Sequence, residues 1–285
     1  HNIEDMNDQD ITVIITSFHS GEKIFNCIES INKDVKIIVV ENSNDQELKE
    51  KIQSKYKNVD CILSKENLGY GAGNNLGLSK VLTNYALIVN PDVTLENDTI
   101  DNFFLTIKNI KNFGIIAPIS KDEIYTNFSI DNDKNLKEVE SVKGFAMFLS
   151  MNNLKEIKFF DENFFLYFEE IDLCKRIRKN DIKIYIDPSI KVNHLGGTSH
   201  NSEINKTMEL SRNWHWMWSS FYYHKKHYGY INALLKISPK LLSSLTKFIF
   251  YLLIFQKFKS DIYKHRVFGI INSVLLKKSW YRPRI

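Results

Sequence analysis

Short apolar runs, rich in β-branched residues, alternate with segments of helical periodicity through the first third of the chain. The runs cover residues 11–17, 35–40, 60–63 and 86–89. Each run has the length of a strand, and between the first two Ile24, Cys27, Ile28 and Ile31 recur on one helix face. Strands that alternate with helices form a parallel sheet with helices on both faces. We therefore predict an α/β fold with a mostly parallel central sheet.

The same alternation continues less regularly further along the chain. The spacing predicts helices over residues 46–56, 99–111, 172–179 and 203–228, and strands over 114–118, 142–150, 181–186 and 190–194. Pro188 should separate the last two strands, because a proline cannot donate to the ladder. A polar stretch at 124–140 without a clear period predicts a surface excursion.

The composition changes near the C-terminal end. Residues 231–258 are rich in Leu, Ile and Phe, are laced with lysines and are interrupted by Pro239, and from Lys236 onward the single acidic residue is Asp261. The apolar core at 248–255 is too short for a membrane span, which needs about 20 residues. We predict a pair of amphipathic helices at a membrane surface. A helical cap on the sheet or an oligomer contact is the alternative.

These patterns divide the chain into three predicted parts. Residues 1–10 are polar and acidic, and we expect a flexible leader there without a signal peptide. Residues 11–228 should form the α/β domain. Residues 229–285 should form a helical, amphipathic appendage that associates with a membrane or mediates oligomerisation.

Composition and charge narrow the class of protein. Hydrophobic residues make up 43% of the 285 residues and charged residues 25%, as in ordinary globular domains. A formal net charge of +4 is too small to indicate nucleic-acid binding. Cys27, Cys61 and Cys174 lie far apart without metal-binding spacing. We therefore expect reduced, mostly buried thiols and a cytoplasmic protein.

The apolar run at 86–89 ends in Asn90, Pro91 and Asp92. Since Pro91 cannot continue the ladder, the chain should leave the sheet there, at the edge where α/β proteins bind ligands. A carboxylate and an amide carbonyl at this spacing can hold a hard divalent ion on a diphosphate. An ordinary Asn-Pro turn is the structural alternative. His194, at the end of a later strand, is a further candidate ligand.

Three more polar clusters carry groups that can bind or react. Residues 41–45, after the second strand, offer a carboxylate to a base or a ribose hydroxyl, with an Asx-rich turn as the alternative. Residues 67–77 contain glycines that let backbone N–H groups approach a phosphate or a sugar. Residues 169–172 hold three carboxylates, which raise one another's pKa and suit a general base, with an acidic helix start as the alternative.

The glycine run also has some features of a dinucleotide-binding fingerprint, with Asp92 about 20 residues further on. Its glycine spacing is off by one residue, and it follows the third strand rather than the first. Residues 64–68 also separate it from that strand, whereas the fingerprint begins at once. An NAD-binding enzyme is therefore the less favoured class.

Taken together, these stretches resemble the inverting family 2 glycosyltransferases with a GT-A fold, and within them the bacterial rhamnosyltransferase-type branch. The resemblance covers residues 11–228, and its motifs occur in the family's order. They lie at residues 13–18, 39–43, 67–77, 90–92, 168–176 and 194–199. Each motif is weak alone, but the ordered set is specific.

The resemblance implies roles for individual side chains. Glu170 is the implied catalytic base, and Asp172 and Glu169 are carboxylates that can share this role. Asp92 and His194 are the implied ligands of Mg²⁺ or Mn²⁺ on the diphosphate. The residues implied to bind the nucleotide-sugar are Thr16, Glu41, Asn42, Asn67, Gly69, Gly71, Asn74 and Asn90.

The sequence departs from the family pattern at three of these positions. Glu41 and Glu170 stand where the family usually has Asp, and Asn90 stands where many members carry the first Asp of Asp-x-Asp. The added methylene at 170 leaves the identity of the base open, and Asn90 removes one charge from the metal site. A sugar-nucleotide-binding protein that has lost catalysis is therefore an alternative. A nucleotidyltransferase is another, although residues 17–23 lack its glycine- and lysine-rich loop.

The implied activity is transfer of a sugar, with L-rhamnose among the candidates, from a nucleoside-diphosphate sugar of dTDP or UDP. The implied acceptor is a saccharide or lipid-linked saccharide in bacterial cell-surface polysaccharide synthesis, such as that of O-antigen. The implied location is the cytoplasm, with peripheral contact to the inner face of the cell membrane. No nucleic-acid partner is expected, and the sequence leaves a homo-oligomer open.

Overall fold

A computed structural model describes residues 6–121, 135–194 and 202–283 of the chain. The chain divides into two compact units. The first comprises His1–Phe160 and Glu170–Gly197, and the second comprises Asp161–Glu169 and Thr198–Ile285. The predicted domain boundary after residue 228 stays a prediction, although the contacts group the helix before it with the C-terminal helices.

The first unit is built on one mixed sheet. Its described strands are β1 (Ile11–Ser17), β2 (Lys36–Glu41), β3 (Val59–Leu63), β4 (Tyr85–Val89), β5 (Val93–Leu95), β6 (Phe113–Ser120), β7 (Lys137–Glu138), β8 (Ala146–Ser150) and β9 (Lys183–His194). The strand order is β3-β2-β1-β4-β8-β6-β9-β5, and β7 pairs with β9. The half from β3 to β4 is parallel, as the alternation of strands and helices predicted. Antiparallel pairing of β8 with β4 and β6, and of β5 with β9, makes the whole sheet mixed.

Helices cover both faces of this sheet. They are α1 (Lys23–Glu29), α2 (Gln46–Lys55), α3 (Gly69–Leu78), α4 (Thr99–Ile107), α5 (Met151–Lys155) and α6 (Glu169–Arg178). Successive residues of a strand point to opposite faces, and accordingly Val13 lies in a core with α1, α2 and α4, whereas Ile14 lies in a core with α3, α5 and α6. In the first core, Phe103 stacks on Phe148 with ring centroids 4.8 Å apart.

The flexible leader predicted over residues 1–10 stays a prediction, and its last residues have local structure. Asp8–Asp10 form a short 3₁₀ helix. The side chain of Asn7 accepts from the backbone N–H of Gln9 at 2.9 Å, and the Asp10 carboxylate accepts from the N–H of Asn7 at 3.0 Å. These reciprocal bonds satisfy the open donors of the first turn. Residues 1–5 lie outside the described residues.

A bulge joins the two strands that Pro188 was expected to separate. β9 is continuous, but its pairing with β6 jumps from Asp187 to Lys191. The bulge takes Pro188, which has no N–H, out of the ladder. The side chain of Asp187 accepts from the backbone N–H of Ser189 at 2.9 Å and supports the local bend. Of the polar excursion predicted at 124–140, residues 124–134 lie outside the described residues, and Lys137–Glu138 form β7.

The second unit is helical. It contains α7 (Ser202–Tyr228), α8 (Tyr230–Leu253) and α9 (Lys257–Val274), and α8 runs on through Pro239. The segment 161–169 belongs to this unit because Ser219 donates to the carbonyl of Leu166 at 2.7 Å and Lys226 pairs with Asp161 at 2.8 Å. In the described part of the chain, no helix has the length and apolarity that a membrane crossing requires.

Replacing Gly269 with Ala is expected to destabilise the second unit by about 3 kcal/mol, at the upper end of overpacking costs. A Cβ at this position in α9 would lie 2.2 Å from the backbone carbonyl oxygen of Trp214 in α7, and backbone cannot move aside as a flexible side chain can. Urea unfolding measures the loss. The neighbouring exposed substitution Phe268→Ala is the control, and equal stability of the two variants would contradict the close packing of α7 and α9.

Candidate active site

The carboxyl ends of β1 and β2 meet the start of α3, and several predicted nucleotide-sugar residues lie there. Thr16, near the end of β1, donates its hydroxyl to Oδ1 of Asn74 at 3.0 Å. Asn74 in turn donates to the carbonyl of Tyr70, one helical turn earlier, at 3.0 Å. Asn42, just after β2, donates to the carbonyl of Gly69 at 3.0 Å. The structure therefore links these residues at one edge of the sheet.

The glycines expected in a phosphate-binding loop lie within helix α3 instead. A Cβ on Gly73 would lie 2.6 Å from Thr16 Cγ2 and 2.9 Å from Asn42 Nδ2. A Cβ on Gly77 would lie 2.7 Å from Ile14 Cγ2. These two glycines, one turn apart, therefore allow α3 to pack directly against β1 and the end of β2. In the part of the chain that the structure describes, Gly73 and Gly77 therefore serve close packing between helix and sheet.

The turn into α3 is held by Asn67. Its side chain accepts from the backbone N–H of Gly69 at 3.1 Å, and Gly69 has a φ of +80°, which glycine adopts without steric cost. Gly71 is buried within the helix. The run therefore forms a helix start beside Asn42. It does not form the tight turn directly after the first strand that a dinucleotide fingerprint requires.

Glu41 and Asn42 differ in how their side chains are satisfied. Glu41 is fully buried, and its carboxylate accepts from the backbone N–H of Asp45 at 2.7 Å and from the N–H and hydroxyl of Ser43. It thereby closes its own turn. Asn42 Oδ1, in contrast, is buried and has no hydrogen-bond partner among the described residues. An open buried acceptor suits an N–H or O–H group of a ligand.

A tight turn between β4 and β5 carries Asp92. The backbone N–H of Asn90 donates to the carbonyl of Phe145 at 2.9 Å, and the Asn90 carbonyl accepts from the N–H of Val93 at 3.0 Å. The second bond closes a β-turn with Asp92 at its third position, and the first ties this turn to Phe145. The antiparallel pairing of β5 with β9 sets Val93 opposite His194. As a result, Asp92 Oδ1 and His194 Nε2 lie 3.4 Å apart.

Phe145 supports this pair and was not among the predicted site residues. Its ring stacks on the imidazole of His194 with centroids 5.0 Å apart and planes 18° from parallel. The contact follows from the pairing of distant strands, so no local pattern around Phe145 signals it. The glycine-rich stretch predicted at 195–199 lies outside the described residues.

Asp92 and His194 bring one carboxylate oxygen and one imidazole nitrogen close together. Within residues 6–121, 135–194 and 202–283, no group of three His, Cys, Asp or Glu side chains is arranged to hold a metal ion. Mg²⁺ usually binds through one or two carboxylates and completes its shell with substrate phosphates and water. The pair therefore fits a divalent ion that is shared with a diphosphate.

Glu170 lies at the start of α6. Burial raises the pKa of its carboxyl above the usual range for Glu, while backbone N–H groups of Glu170 and Ile171 act in the opposite direction. Its Oε2 atom is buried and has no hydrogen-bond partner among the described residues. Glu169 beside it is also buried. A buried carboxyl with a raised pKa and an open oxygen is a candidate general base.

Asp172 is engaged in a structural network. Fully buried, it accepts from Arg176 Nε at 2.8 Å. Arg176 also donates to the carbonyls of Ile157 at 2.9 Å, Lys158 at 2.7 Å and Phe159. The pair thus ties α6 to the segment 157–159. Sequence reasoning assigned no role to Arg176, although four-residue spacing on a helix signals such pairs.

Replacing Asp172 with Asn is expected to lower the free energy of unfolding by about 3 kcal/mol, because the charge of Arg176 loses its buried partner. Chemical denaturation measures this loss. Asp101→Asn, at an exposed position on α4, is the matched control. Unchanged stability of the Asp172 variant would show that the network does not hold α6.

A family model described as Glycosyl transferase family 2 matches residues 12–172, more than half of the chain. The chain therefore belongs to glycosyltransferase family 2, and the family predicted from its motifs is confirmed.

The proteins that are similar to this chain include two named sugar transferases. The low-salt glycan biosynthesis hexosyltransferase Agl10 of Haloferax volcanii is 29% identical over 198 residues, which cover 61% of this chain and 64% of Agl10. The chain thus spans just under two thirds of that relative. The rhamnosyltransferase WbbL of Escherichia coli K12 is 25% identical over 241 residues, which cover 72% of this chain and 89% of WbbL.

Solved structures confirm the predicted GT-A-like fold. The mannosyltransferase PcManGT of Pyrobaculum calidifontis, in complex with GDP-Man and Mn²⁺, superposes with a TM-score of 0.60 at 10% identity, over 94% of this chain and 88% of that one. GalNAc-T7 with UDP, GalNAc and Mn²⁺ superposes with a TM-score of 0.55 at 12% identity, over 76% of this chain and 50% of that one. At these identities the likeness concerns the fold.

Proposed function

We propose that this family 2 glycosyltransferase moves a sugar from a nucleoside-diphosphate sugar to a hydroxyl group of a saccharide or lipid-linked saccharide, with inversion of configuration. The observation that carries the proposal is Glu170, whose buried carboxyl has a raised pKa and an open Oε2. It belongs to the same compact unit as the Asp92–His194 pair. A base and a diphosphate site are the two groups that such a transfer requires.

In the proposed reaction, Glu170 accepts the proton of the acceptor hydroxyl while that oxygen attacks the anomeric carbon. The bond from this carbon to the diphosphate oxygen breaks on the opposite side, and its electron pair leaves with the nucleoside diphosphate. Attack opposite to the leaving group inverts the configuration. The engagement of Asp172 with Arg176 favours Glu170 as the base, with Glu169 as the neighbouring carboxylate.

Asp92 and His194 would hold the Mg²⁺ or Mn²⁺ ion of this reaction. Such an ion neutralises the negative charge that grows on the leaving phosphate. The chain contributes the placement of the two ligands, since the β-turn fixes Asp92 and stacking on Phe145 fixes the His194 ring. The Mn²⁺ in both similar structures supports a divalent ion without distinguishing the two metals.

The nucleotide-sugar is proposed to bind at the edge formed by β1, β2 and α3. We favour dTDP-L-rhamnose, with UDP-sugars second, and the similarity to the rhamnosyltransferase WbbL supports this choice. The open acceptor of Asn42 suits the N–H group of a thymine or uracil ring. The residues proposed to line this site are Thr16, Glu41, Asn42, Asn67, Gly69, Gly71, Asn74 and Asn90.

The acceptor is proposed to be a glycan or lipid-linked glycan of a cell-surface polysaccharide, such as O-antigen. Support comes from the alignment with relatives whose names place them in glycan biosynthesis and rhamnosyl transfer. The enzyme would act in the cytoplasm, peripherally on the inner face of the cell membrane.

A thermal-shift screen with UDP, dTDP, GDP and NAD, each with and without Mn²⁺, tests the proposed donor class. A ligand that binds only the folded state raises its melting temperature, by an amount set by its concentration and affinity. We expect a rise with UDP or dTDP that depends on Mn²⁺. A rise with NAD alone would refute the proposed donor and favour a dinucleotide enzyme.

A further inference from the structure

Helix α8 exposes an apolar stripe along its whole length. The stripe consists of Ile231, Leu235, Leu242, Ile249 and Leu253, which recur four or seven positions apart and are 53% to 70% exposed. This spacing places them on one helix face. The opposite face packs into the second unit through the buried Ala233, Ile237 and Ser244. An exposed apolar surface of this kind marks an interaction site.

Phe255 extends this stripe at the turn between α8 and α9, with 93% of its surface exposed. The backbone N–H of Gln256 donates to the carbonyl of Tyr251 at 2.9 Å, which is the bond that ends a helix with a left-handed residue. That residue is Phe255, with a φ of +57°. Glycine or asparagine is preferred there, so neither backbone conformation nor packing accounts for an aromatic side chain.

Positive charge is concentrated in the part of the chain that carries the stripe. Residues 229–285 contain eleven Lys or Arg residues and a single acidic residue, Asp261. Lys257 and Lys259 follow Phe255 closely, at the start of α9, and both are exposed. Lysines beside exposed apolar side chains are typical of helices that lie in a membrane interface.

We propose that the α8 stripe and Phe255 dock on an anionic lipid bilayer. The apolar side chains would enter the boundary between headgroups and acyl chains, and Lys257 and Lys259 would contact the anionic headgroups. The charge favours a membrane over a second copy of this chain as the partner of the stripe, because a strongly basic surface repels a second copy of itself and attracts an anionic membrane. The inference deepens the proposed function by bringing the enzyme to a lipid-linked acceptor, but binding itself depends only on the second unit.

Co-sedimentation of the full chain with lipid vesicles tests the apolar part of this surface. We expect the wild type to bind phosphatidylcholine vesicles that contain phosphatidylglycerol. The double variant Leu253→Gln, Phe255→Asn should bind these vesicles about tenfold or more weakly, since it lacks two apolar side chains that would enter the bilayer. Gln is a good helix former and Asn tolerates the left-handed conformation, so the melting temperature should not fall. Leu82→Gln, at a 95% exposed position in the first unit, is the control.

Two double variants test the contribution of the lysines to vesicle binding. The variant Lys257→Glu, Lys259→Glu should bind the vesicles with phosphatidylglycerol more weakly than the control variant Lys57→Glu, Lys80→Glu, which makes the same change of net charge in the first unit. Pure phosphatidylcholine vesicles should bind both variants equally weakly. Equal effects of the two pairs would contradict a local role of the α8–α9 turn.

The proposal is overturned if the wild type does not bind the anionic vesicles, or if the Leu253, Phe255 variant binds them as tightly. Sedimentation velocity adds a second test. A wild-type dimer that becomes monomeric in this variant, without vesicle binding by the wild type, would make the stripe a self-association surface and overturn the proposal. A chain that binds vesicles but no nucleotide would refute the proposed function and leave this inference standing.

Discussion

Replacing Glu170 with Gln is expected to lower glycosyl transfer by about a hundredfold to ten-thousandfold, the usual contribution of a general base. The amide has nearly the same shape, but it cannot accept the proton of the acceptor hydroxyl. Donor binding should persist, because the residues proposed to hold the nucleotide and the metal ion are unchanged. Initial rates and thermal shifts with the nucleotide, measured on the same preparations, separate the two effects.

The same substitution should raise the melting temperature near pH 7. The folded-state pKa of Glu170 lies above the ordinary value of about 4.3. The folded state therefore binds the proton more tightly than the unfolded state, and stability falls as the pH rises through the window between the two pKa values. Gln removes this cost at neutral pH and has no such advantage below about pH 4. The wild-type rate should correspondingly fall as the pH decreases through the raised pKa of Glu170.

Glu156→Gln is the control for both readouts, because Glu156 is exposed and lies outside the proposed site. It should change neither the rate nor the melting temperature. A Glu170 variant with the wild-type rate would exclude Glu170 as the base. A Glu170 variant that melts earlier than the wild type at neutral pH would contradict the stabilising effect of neutralising this carboxyl.

Replacing Asp92 with Asn is expected to abolish the Mn²⁺-dependent part of nucleotide binding and to lower transfer by about a hundredfold or more. The reason is that an ion on the leaving phosphate contributes several kcal/mol to the transition state. The asparagine keeps the size of the side chain but removes the negative charge next to His194. Titration of Mn²⁺ at fixed nucleotide, followed by melting temperature and rate, measures both losses.

Asp98→Asn provides the comparison for this experiment, since Asp98 is exposed at the start of α4 and makes no side-chain cap. It should respond to Mn²⁺ as the wild type does. If the Asp92 variant kept the full metal response, the pair with His194 would have to be a structural contact.

The parallel half of the sheet could be predicted because local patterns specify it. The apolar runs and the helical spacing around Ile24 fix strands and helices one after another, and short crossovers leave few topologies. The antiparallel insertion of β8 and the bulge at Pro188 could not be predicted. Both depend on which distant strand lies alongside, and that is decided by packing of the complete core.

The candidate site also has some features that the sequence could predict and others that it could not. The turn at Asn90–Asp92 was predictable because proline ends a strand. The proximity of Asp92 and His194 was implied by the resemblance, and their contact results from the pairing of β5 with β9. The packing role of Gly73 and the bond between Asp172 and Arg176 were not foreseen. A glycine run and a carboxylate cluster each suit several environments, and burial selects among them.

Release of nucleoside diphosphate from dTDP-, UDP- and GDP-sugars, by the full chain with Mn²⁺ and a mixture of saccharide acceptors, tests most directly whether this chain is a glycosyltransferase with Glu170 as its base. We expect the wild type to release nucleoside diphosphate from a dTDP- or UDP-sugar, and the Glu170→Gln variant to lose this activity while still binding the nucleotide. Undiminished release by this variant would exclude Glu170 as the base. A wild type that binds the sugar-nucleotide but never releases nucleoside diphosphate would contradict the proposed function, because that is the behaviour of a binding protein without catalysis.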